Sequence, residues 1–222
     1  MSATDLLHRR RRKEARPQEL LNAALELFVE KGFAATRIEE VALRAGVSKG
    51  TLYLYFSSKE ELLKAVISHH LSARIADGAA QAAQFSGSAA DLLRGILVEW
   101  WGQLYDSPAS GVFKLVIAEV RNFPEIGAFY ARHVIAPAHQ LISGVVQQGI
   151  ASGEFRAVDV DHAVHSLVLP LVMICLHRHS LGASLGACPG ACSGYWQLDG
   201  NAFIAQHVGL VLDGLCLRSP AA

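Results

Sequence analysis

Apolar residues recur every three or four positions along almost the whole chain, which is the period of an amphipathic helix. The first such segment begins near Pro17, carries Leu21, Leu25 and Phe28 on one face, and stops at Gly32. No run of alternating β-branched residues bounded by turns favours a strand. The pattern therefore predicts an all-α protein.

Capping signals divide the N-terminal third of the chain into short helices. Thr36 followed by Glu39 has the spacing of a capping box, and Ser58 with Glu61 repeats it. Ser48 is a further residue typical of a helix N-cap. These signals predict helices over 37–44 and 48–55, and a long fourth helix from 58.

Longer helices are predicted in the rest of the chain, where Gly, Ser and Pro are more widely spaced. Segment 181–198 is rich in Gly, Ser and Ala, and we expect it to be a surface loop. The expected helices span 91–105, 111–121, 124–152, 159–180 and 199–217.

Composition and charge suggest a globular protein with a polyanionic partner. Hydrophobic residues make up 51% of the 222 residues, which can fill a substantial core. The chain up to Lys64 has 12 basic and 9 acidic residues and the remainder has 8 and 11, so the two parts carry +3 and −3. A basic first part is expected where only that part meets a polyanion.

Neither a membrane span nor a secretory signal is expected. The longest apolar run, 167–176, is half of the roughly 20 residues that a spanning helix needs, and Pro170 interrupts it. The basic cluster near the N-terminus has no apolar segment behind it. We therefore expect no membrane partner and a cytoplasmic location.

The two short helices over 36–46 and 48–55 have the spacing of a helix-turn-helix, with Gly46 and Val47 between them. Residues 47–59 contain no Asp or Glu. Tyr53 and Tyr55 point about 200° apart on a helix, so one core cannot take both. This segment offers donors or small residues for DNA at Ser48, Lys49, Gly50, Thr51, Tyr53, Tyr55 and Lys59.

The segment from Leu20 to Leu63 strongly resembles the DNA-binding domain of the TetR (tetracycline-repressor) family. The order and spacing of its residues are too specific for generic amphipathic helices. The resemblance is carried by Ala23-Ala24-Leu25-Glu26-Leu27-Phe28, Lys31-Gly32-Phe33, Thr36, Ile38, Val41-Ala42, Ala45-Gly46-Val47-Ser48, Gly50-Thr51-Leu52-Tyr53, Tyr55-Phe56 and Ser58-Lys59-Glu60-Glu61-Leu62-Leu63.

The resemblance implies a homodimer that binds a pseudo-palindromic DNA operator and leaves it when a small-molecule effector binds. Thr36 and Arg37 are then expected to touch phosphate. Tyr55 and Lys59 are expected to clamp the DNA backbone. The residues expected in the major groove are Ser48, Lys49, Gly50, Thr51 and Tyr53.

The resemblance also implies a division of the chain into a helix-turn-helix domain over 14–74 and an effector-binding and dimerisation domain over 75–222. Residues 1–13 form a basic arm whose Arg9–Lys13 run is either a solvated tail or, as we favour, a contact with phosphate or the minor groove. The dimer is expected to form from the last two helices of each subunit.

Aromatic and polar residues of the C-terminal helices are candidates for an effector cavity. Most aromatic stripes at helical spacing are core, but a subset can line a cavity between helices and bind an apolar or aromatic ligand. Consecutive tryptophans cannot both face one narrow core seam. The candidates are Trp100, Trp101, Phe113, Phe129, Tyr130, His133, Met173 and His177.

Two other classes of function have weaker signals. Cys188 and Cys192, with His177 or His179, could form a metal or redox sensor. Ser184 stands in a G-x-S-x-G string, but a hydrolase elbow needs a preceding strand, and a helix is predicted there. We therefore expect a regulator without catalytic residues, metal or cofactor.

Overall fold

The computed structural model describes residues 3–180, 182–183 and 198–217, with side chains from Pro17 onward. The secondary structure of these residues is helical. Among them Phe155 and Cys216 also form one isolated antiparallel β-bridge. The all-α prediction is confirmed. The α-helices are α1 (Ala3–Lys31), α2 (Ile38–Arg44), α3 (Lys49–Tyr53), α4 (Lys59–Ile67), α5 (Ala73–Gln84), α6 (Ala89–Arg94), α7 (Trp101–Asp106), α8 (Val112–Glu119), α9 (Pro124–Tyr130), α10 (Ala136–Ala151), α11 (Val160–His179) and α12 (Gly200–Leu215).

Three π-helical turns join consecutive helices without a loop. They are Ser68–Ser72 between α4 and α5, Gly95–Trp100 between α6 and α7, and Ala131–Ile135 between α9 and α10. The helices predicted over 91–105 and 124–152 are therefore continuous, each with one wider turn. Such turns are rare and are frequent at functional sites.

The first helix begins at Ala3, earlier than the prediction of a start near Pro17. Proline suits a first helical turn, and inside a helix it removes one backbone N–H donor and crowds the carbonyl four residues earlier, yet α1 continues through Pro17. The proline signal was therefore wrong about where α1 starts. The side chains of the basic arm lie outside the described residues.

The capping box of α2 is shifted by one residue from its predicted place. Arg37 is the N-cap, and its backbone N–H donates to Glu40 Oε2 at 3.0 Å. Thr36 is 1% exposed, and its hydroxyl contacts the carbonyl oxygens of Leu27 and Gly32 at 3.2 Å and 2.7 Å. Thr36 therefore ties the turn to α1 instead of capping α2.

The turn after α1 connects the N-terminal helices to the C-terminal ones. The Phe33 ring meets the Phe123 ring edge to face, with centroids 5.0 Å apart. The backbone N–H of Ala34 donates to Glu119 Oε1 at 3.4 Å, and Glu119 is buried. The position of the helix-turn-helix is thus fixed against the end of α8.

Helices α11 and α12 pack against each other and leave apolar residues on the surface. By length and composition α11 could cross a membrane, yet here it packs on α8, α10 and α12. Pro170 cannot donate to the Ser166 carbonyl, and the ring Nε2 of His207 on α12 contacts that oxygen at 3.0 Å. Leu169, Met173 and Leu210 remain 58%, 62% and 74% exposed.

Candidate DNA-binding surface and effector cavity

Helix α3 presents most of its side chains to solvent. Ser48 caps it by accepting from the Thr51 N–H at 3.0 Å, and the two hydroxyl oxygens are 2.8 Å apart. Leu52 is the residue of α3 that anchors it in the core. Helix α3 is therefore a short exposed helix held by one buried leucine and one serine cap.

Lys49 connects the first turns of α2 and α3. Its Nζ lies 2.5 Å from Glu39 Oε1 and 5.8 Å from the centroid of the Tyr53 ring. The hydrogen bond to Glu39 raises the pKa of Lys49 above its ordinary value, so the ammonium stays charged. This ion pair is exposed, and it places a cation beside Tyr53 at the surface.

Lys59 binds backbone carbonyls of the turn between α1 and α2, which its position in the sequence did not suggest. Its Nζ donates to the carbonyl oxygens of Phe33, Ala34 and Thr36 at 2.8 Å, 3.2 Å and 3.1 Å. The ammonium also lies 4.5 Å from the centroid of the Phe33 ring. An ammonium has three N–H donors, so all three are engaged within the fold.

The structure brings most of the predicted DNA-binding residues to one exposed region but not all of them. Arg37, Ser48, Lys49, Gly50, Tyr53 and Tyr55 are exposed, and Thr51 is half-buried. The Thr36 side chain is buried, which corrects its predicted contact with phosphate. Leu43 and Leu54, 81% and 83% exposed, were not chosen from the sequence and are apolar residues of the same helix pair.

A cavity of about 820 Å³ lies between α5, the α6–α7 segment and α10. Trp100 and Trp101, two of the candidates chosen from the sequence, both line it. Trp101 is 4% exposed and stacks on Phe113, with centroids 5.5 Å apart, whereas Trp100 meets Trp101 edge to face. The Nε1 of Trp100 is buried and has no hydrogen-bond partner among the described residues.

The other six predicted pocket residues do not line this cavity. Phe113 lies behind Trp101, and Phe129 packs on His133 with ring centroids 4.3 Å apart. Burial raises the pKa of Tyr130, and Met173 is exposed on α11. The sixth is His177, whose ring lies close to Gly182.

Sequence reasoning missed the wall that α5 contributes to the cavity. This wall is made of small and polar residues, including Arg74, Asp77, Gly78 and Gln81. Arg74 donates to Gln103 Oε1 of α7 at 3.4 Å, a side-chain contact that joins α5 to α7. The available signal was an alanine-rich helix with few large apolar residues to fill a core.

The described cysteines and histidines do not support a sensor at α11. Cys175 is buried, and burial raises the pKa of its thiol to about 12. His179 Nε2 lies 2.7 Å from Ser110 Oγ. Within 3–180, 182–183 and 198–217 no group of three His, Cys, Asp or Glu side chains could hold a metal ion. Cys188, Cys192 and Ser184 lie outside the described residues.

The fold and the exposed helix pair define a helix-turn-helix DNA-binding protein. Residues 20–66 match the model for bacterial regulatory proteins of the tetR family, and residues 84–184 match the model for the tetracyclin repressor-like C-terminal domain. The chain belongs to the TetR family and is a transcriptional regulator of the helix-turn-helix type.

Relatives match either the DNA-binding part or most of the chain. The transcriptional activator FasR of Mycolicibacterium smegmatis is 49% identical over 59 residues, which is 27% of each chain. The regulator YfiR of Bacillus subtilis is 31% identical over 148 residues, or 66% of this chain and 71% of YfiR. The repressor KstR2 of Rhodococcus jostii is 29% identical, covering 70% of this chain and 76% of KstR2.

Solved structures share the fold across nearly the whole chain. FadR of Bacillus subtilis, solved in complex with stearoyl-CoA, superposes with a TM-score of 0.65 at 18% identity. The match covers 89% of this chain and 98% of FadR. This likeness concerns the fold.

Proposed function

We propose that this regulator is a repressor that binds a pseudo-palindromic operator as a homodimer and leaves it when a small apolar or aromatic effector enters the cavity. The observation that carries the proposal is the continuous helical path from the cavity wall α5, through the π turn Ser68–Ser72, to α4. Helix α4 packs on α1, and α1 packs on α2 of the helix-turn-helix. A ligand that moves α5 would therefore also move α4 and, through α1, the helix-turn-helix.

The DNA contact is proposed for the exposed side of α3. Ser48, Lys49, Gly50, Thr51 and Tyr53 would meet the major groove, and Arg37 and Tyr55 the phosphates. The exposure of Tyr53 supports this, because a large aromatic side chain on a monomer surface is a good candidate for an interface. Lys59 would act by positioning the turn before α2.

Operator selection tests this contact. Wild-type protein incubated with random-sequence DNA should enrich an inverted repeat, since two identical reading helices read two half-sites. Tyr53→Ala should change the enriched sequence, whereas Tyr130→Phe, a half-buried position of the C-terminal helices, should return the wild-type site. Enrichment of the same site by wild type and Tyr53→Ala would contradict the groove assignment.

The dimer is proposed for the face that α11 and α12 leave apolar. Leu169, Met173 and Leu210 are large side chains that a soluble monomer would expose together, and a second copy would bury them. Leu210→Glu should therefore give a monomer in light scattering and lose operator affinity. Gln147→Glu, an exposed polar position on α10 and so outside that face, should remain dimeric.

The direction of regulation and the place of action complete the proposal. KstR2 is named a repressor and FasR an activator, so relatives of both kinds exist. The protein is a repressor if its effector-free form binds the operator. Expression of a reporter gene from the regulated promoter should then be higher in cells that lack the protein. We propose that it acts in the cytoplasm, where the operator DNA is accessible.

We propose the division into a basic arm (1–13), a DNA-binding domain (14–74) and an effector and dimer domain (75–222) as the functional plan. The family models at 20–66 and 84–184 support two functional parts. Deleting residues 1–13 should lower DNA affinity and its salt dependence while leaving the selected sequence the same. Identical affinity at low salt would show that the arm is a solvated tail.

A further inference from the structure

An ion pair joins the first turns of the two helices of the helix-turn-helix. Glu39 lies in the first turn of α2, and Lys49 is the first residue of α3. The Lys49 Nζ and Glu39 Oε1 atoms are 2.5 Å apart, and the two side chains are 53% and 55% exposed. The pair therefore lies at the surface and spans the turn between α2 and α3.

The two partners of this pair keep each other ionised. The hydrogen bond to Lys49 lowers the pKa of Glu39, and the same bond raises the pKa of Lys49. Both side chains are therefore charged near neutral pH, and their charges cancel. A surface that served only to attract DNA phosphates would not place a carboxylate against its cation.

Lys49 is the cation that α3 can offer to a base. Helix α3 has the sequence Lys-Gly-Thr-Leu-Tyr, so Lys49 is its basic residue. The next lysine along the chain, Lys59, binds the carbonyl oxygens of Phe33, Ala34 and Thr36 with its ammonium. Any recognition of a base by a cation of this segment therefore depends on Lys49.

The contacts of Lys49 restrict where its ammonium can go. A free lysine carries a point charge on a flexible stem, which suits contacts with phosphate. Here the ammonium is bound to Glu39 and lies 5.8 Å from the centroid of the Tyr53 ring. A phosphate that approached this ammonium would also approach the Glu39 carboxylate, and like charges repel. The arrangement therefore disfavours phosphate as the partner of Lys49.

The remaining donors of Lys49 fit the edge of a guanine. An ammonium has three N–H donors, and Glu39 accepts one of them. Guanine presents two acceptors in the major groove, O6 and N7, and lysine is one of the side chains that read them. The two donors left on Lys49 match these two acceptors.

We propose, building on the DNA contact given to α3 above, that Glu39 is a positioning residue for base recognition. It holds the Lys49 ammonium towards a guanine in each half-site of the operator and keeps it from neighbouring phosphates. Glu39 therefore raises the preference for the operator over other DNA while it lowers the affinity for DNA of any sequence.

Selection from random-sequence DNA tests the base contact. Wild type should enrich a guanine at one position of each half-site, and Lys49→Met should lose that preference. Glu39→Gln should lose it at the same position, because the freed ammonium can turn to a phosphate. The control Glu61→Gln makes the same change in net charge and breaks an ion pair with Lys64, 2.8 Å long, on α4, so it should return the wild-type site. Enrichment of the same guanine by Glu39→Gln and wild type would overturn the proposal.

Binding at several salt concentrations separates positioning from a general effect of charge. On DNA without the selected site, Glu39→Gln should bind more tightly than wild type, with a slope of log K against log salt steeper by up to about one unit. The double variant Glu39→Gln, Lys49→Met has the net charge of wild type and should return to the wild-type slope. The ratio of operator affinity to random-DNA affinity should fall about tenfold in Glu39→Gln. An equal gain on both DNAs would make Glu39 a general repulsive charge and would overturn the proposal.

The proposed function and this inference fail in different ways. If Lys49→Met and Tyr53→Ala both return the wild-type site, the contact of α3 with DNA is wrong and the inference falls with it. If both change the site and Glu39→Gln does not, α3 reads DNA and the positioning role of Glu39 is wrong. Glu39→Gln should keep the wild-type unfolding midpoint, because an exposed ion pair contributes little to stability.

Discussion

Replacing Lys59 with Met distinguishes two roles for this residue: a contact with DNA phosphate, or hydrogen bonds that stabilise the fold. Methionine keeps an unbranched side chain that packs on Phe33 but removes the ammonium. The variant loses three hydrogen bonds to backbone carbonyls, at 2.8 Å, 3.1 Å and 3.2 Å. If Lys59 supports the fold, the effect must be visible without DNA.

The magnitude follows from these three bonds. A hydrogen bond to a charged group contributes about 1.5–3 kcal/mol when buried and less when solvent competes. The Lys59 bonds are partly exposed, so we expect a total loss of about 2 kcal/mol. For a chain of this size that lowers the unfolding midpoint by about 4–8 °C.

The assay combines thermal unfolding with DNA binding at several salt concentrations. Lys59→Met should lower the unfolding midpoint while the slope of log K against log salt stays at the wild-type value, because no phosphate contact is lost. The control Lys64→Met removes an exposed ion pair with Glu61, 2.8 Å long, and should change stability by less than about 1 kcal/mol. An unchanged midpoint together with a slope reduced by about one unit would refute the internal role and restore the phosphate contact.

Three further predictions concern the reading helix, the π turn and the cavity. Gly50→Ala should be as stable as wild type or more stable by up to about 1 kcal/mol, since an added Cβ would meet only Ser48 Oγ at 3.8 Å. Its DNA affinity should fall if the backbone approaches DNA closely at this position. Equal affinity would place Gly50 outside the interface. Burial lowers the pKa of His70 to about 4, with smaller effects of His69 and Arg74. His70 binds a proton below about pH 6.5 in the unfolded chain but only below about pH 4 in the folded chain. Lowering the pH between these values should therefore reduce the unfolding midpoint of wild type more than that of His70→Gln. Equal reductions would exclude His70 as the cause. Trp100→Ala should remain folded, dimeric and able to bind operator but lose effector response; a collapse of the unfolding midpoint would make Trp100 a core residue.

Local capping could be predicted from the sequence because donor and acceptor lie within three residues of each other. Ser48 and Ser58 each accept from the backbone N–H three residues on, as their positions indicated. Thr36 has the same local spacing, but the carbonyls of Leu27 and Gly32 compete for its hydroxyl. The Leu27 carbonyl belongs to α1 and the Gly32 carbonyl to the turn that follows it, and capping rules include neither acceptor.

The cavity could not be predicted, since its walls come from helices far apart in the chain. Large aromatic residues drew attention to α9 and α11, whereas α5 contributes much of the lining with small and charged residues. Trp100 and Trp101 were predicted because they belong to one apolar helix. Their partners on α5 and α10 depend on packing angles that periodicity does not contain.

The contact between His207 and the carbonyl freed by Pro170 has a mechanical consequence. Sliding α12 along α11 by even one turn would separate the imidazole from the Ser166 oxygen and leave that acceptor with solvent alone. Sliding these two helices past each other would therefore break a hydrogen bond as well as apolar contacts. If α11 and α12 form the dimer surface proposed above, this bond would help that surface to keep its shape while α5 and α4 move.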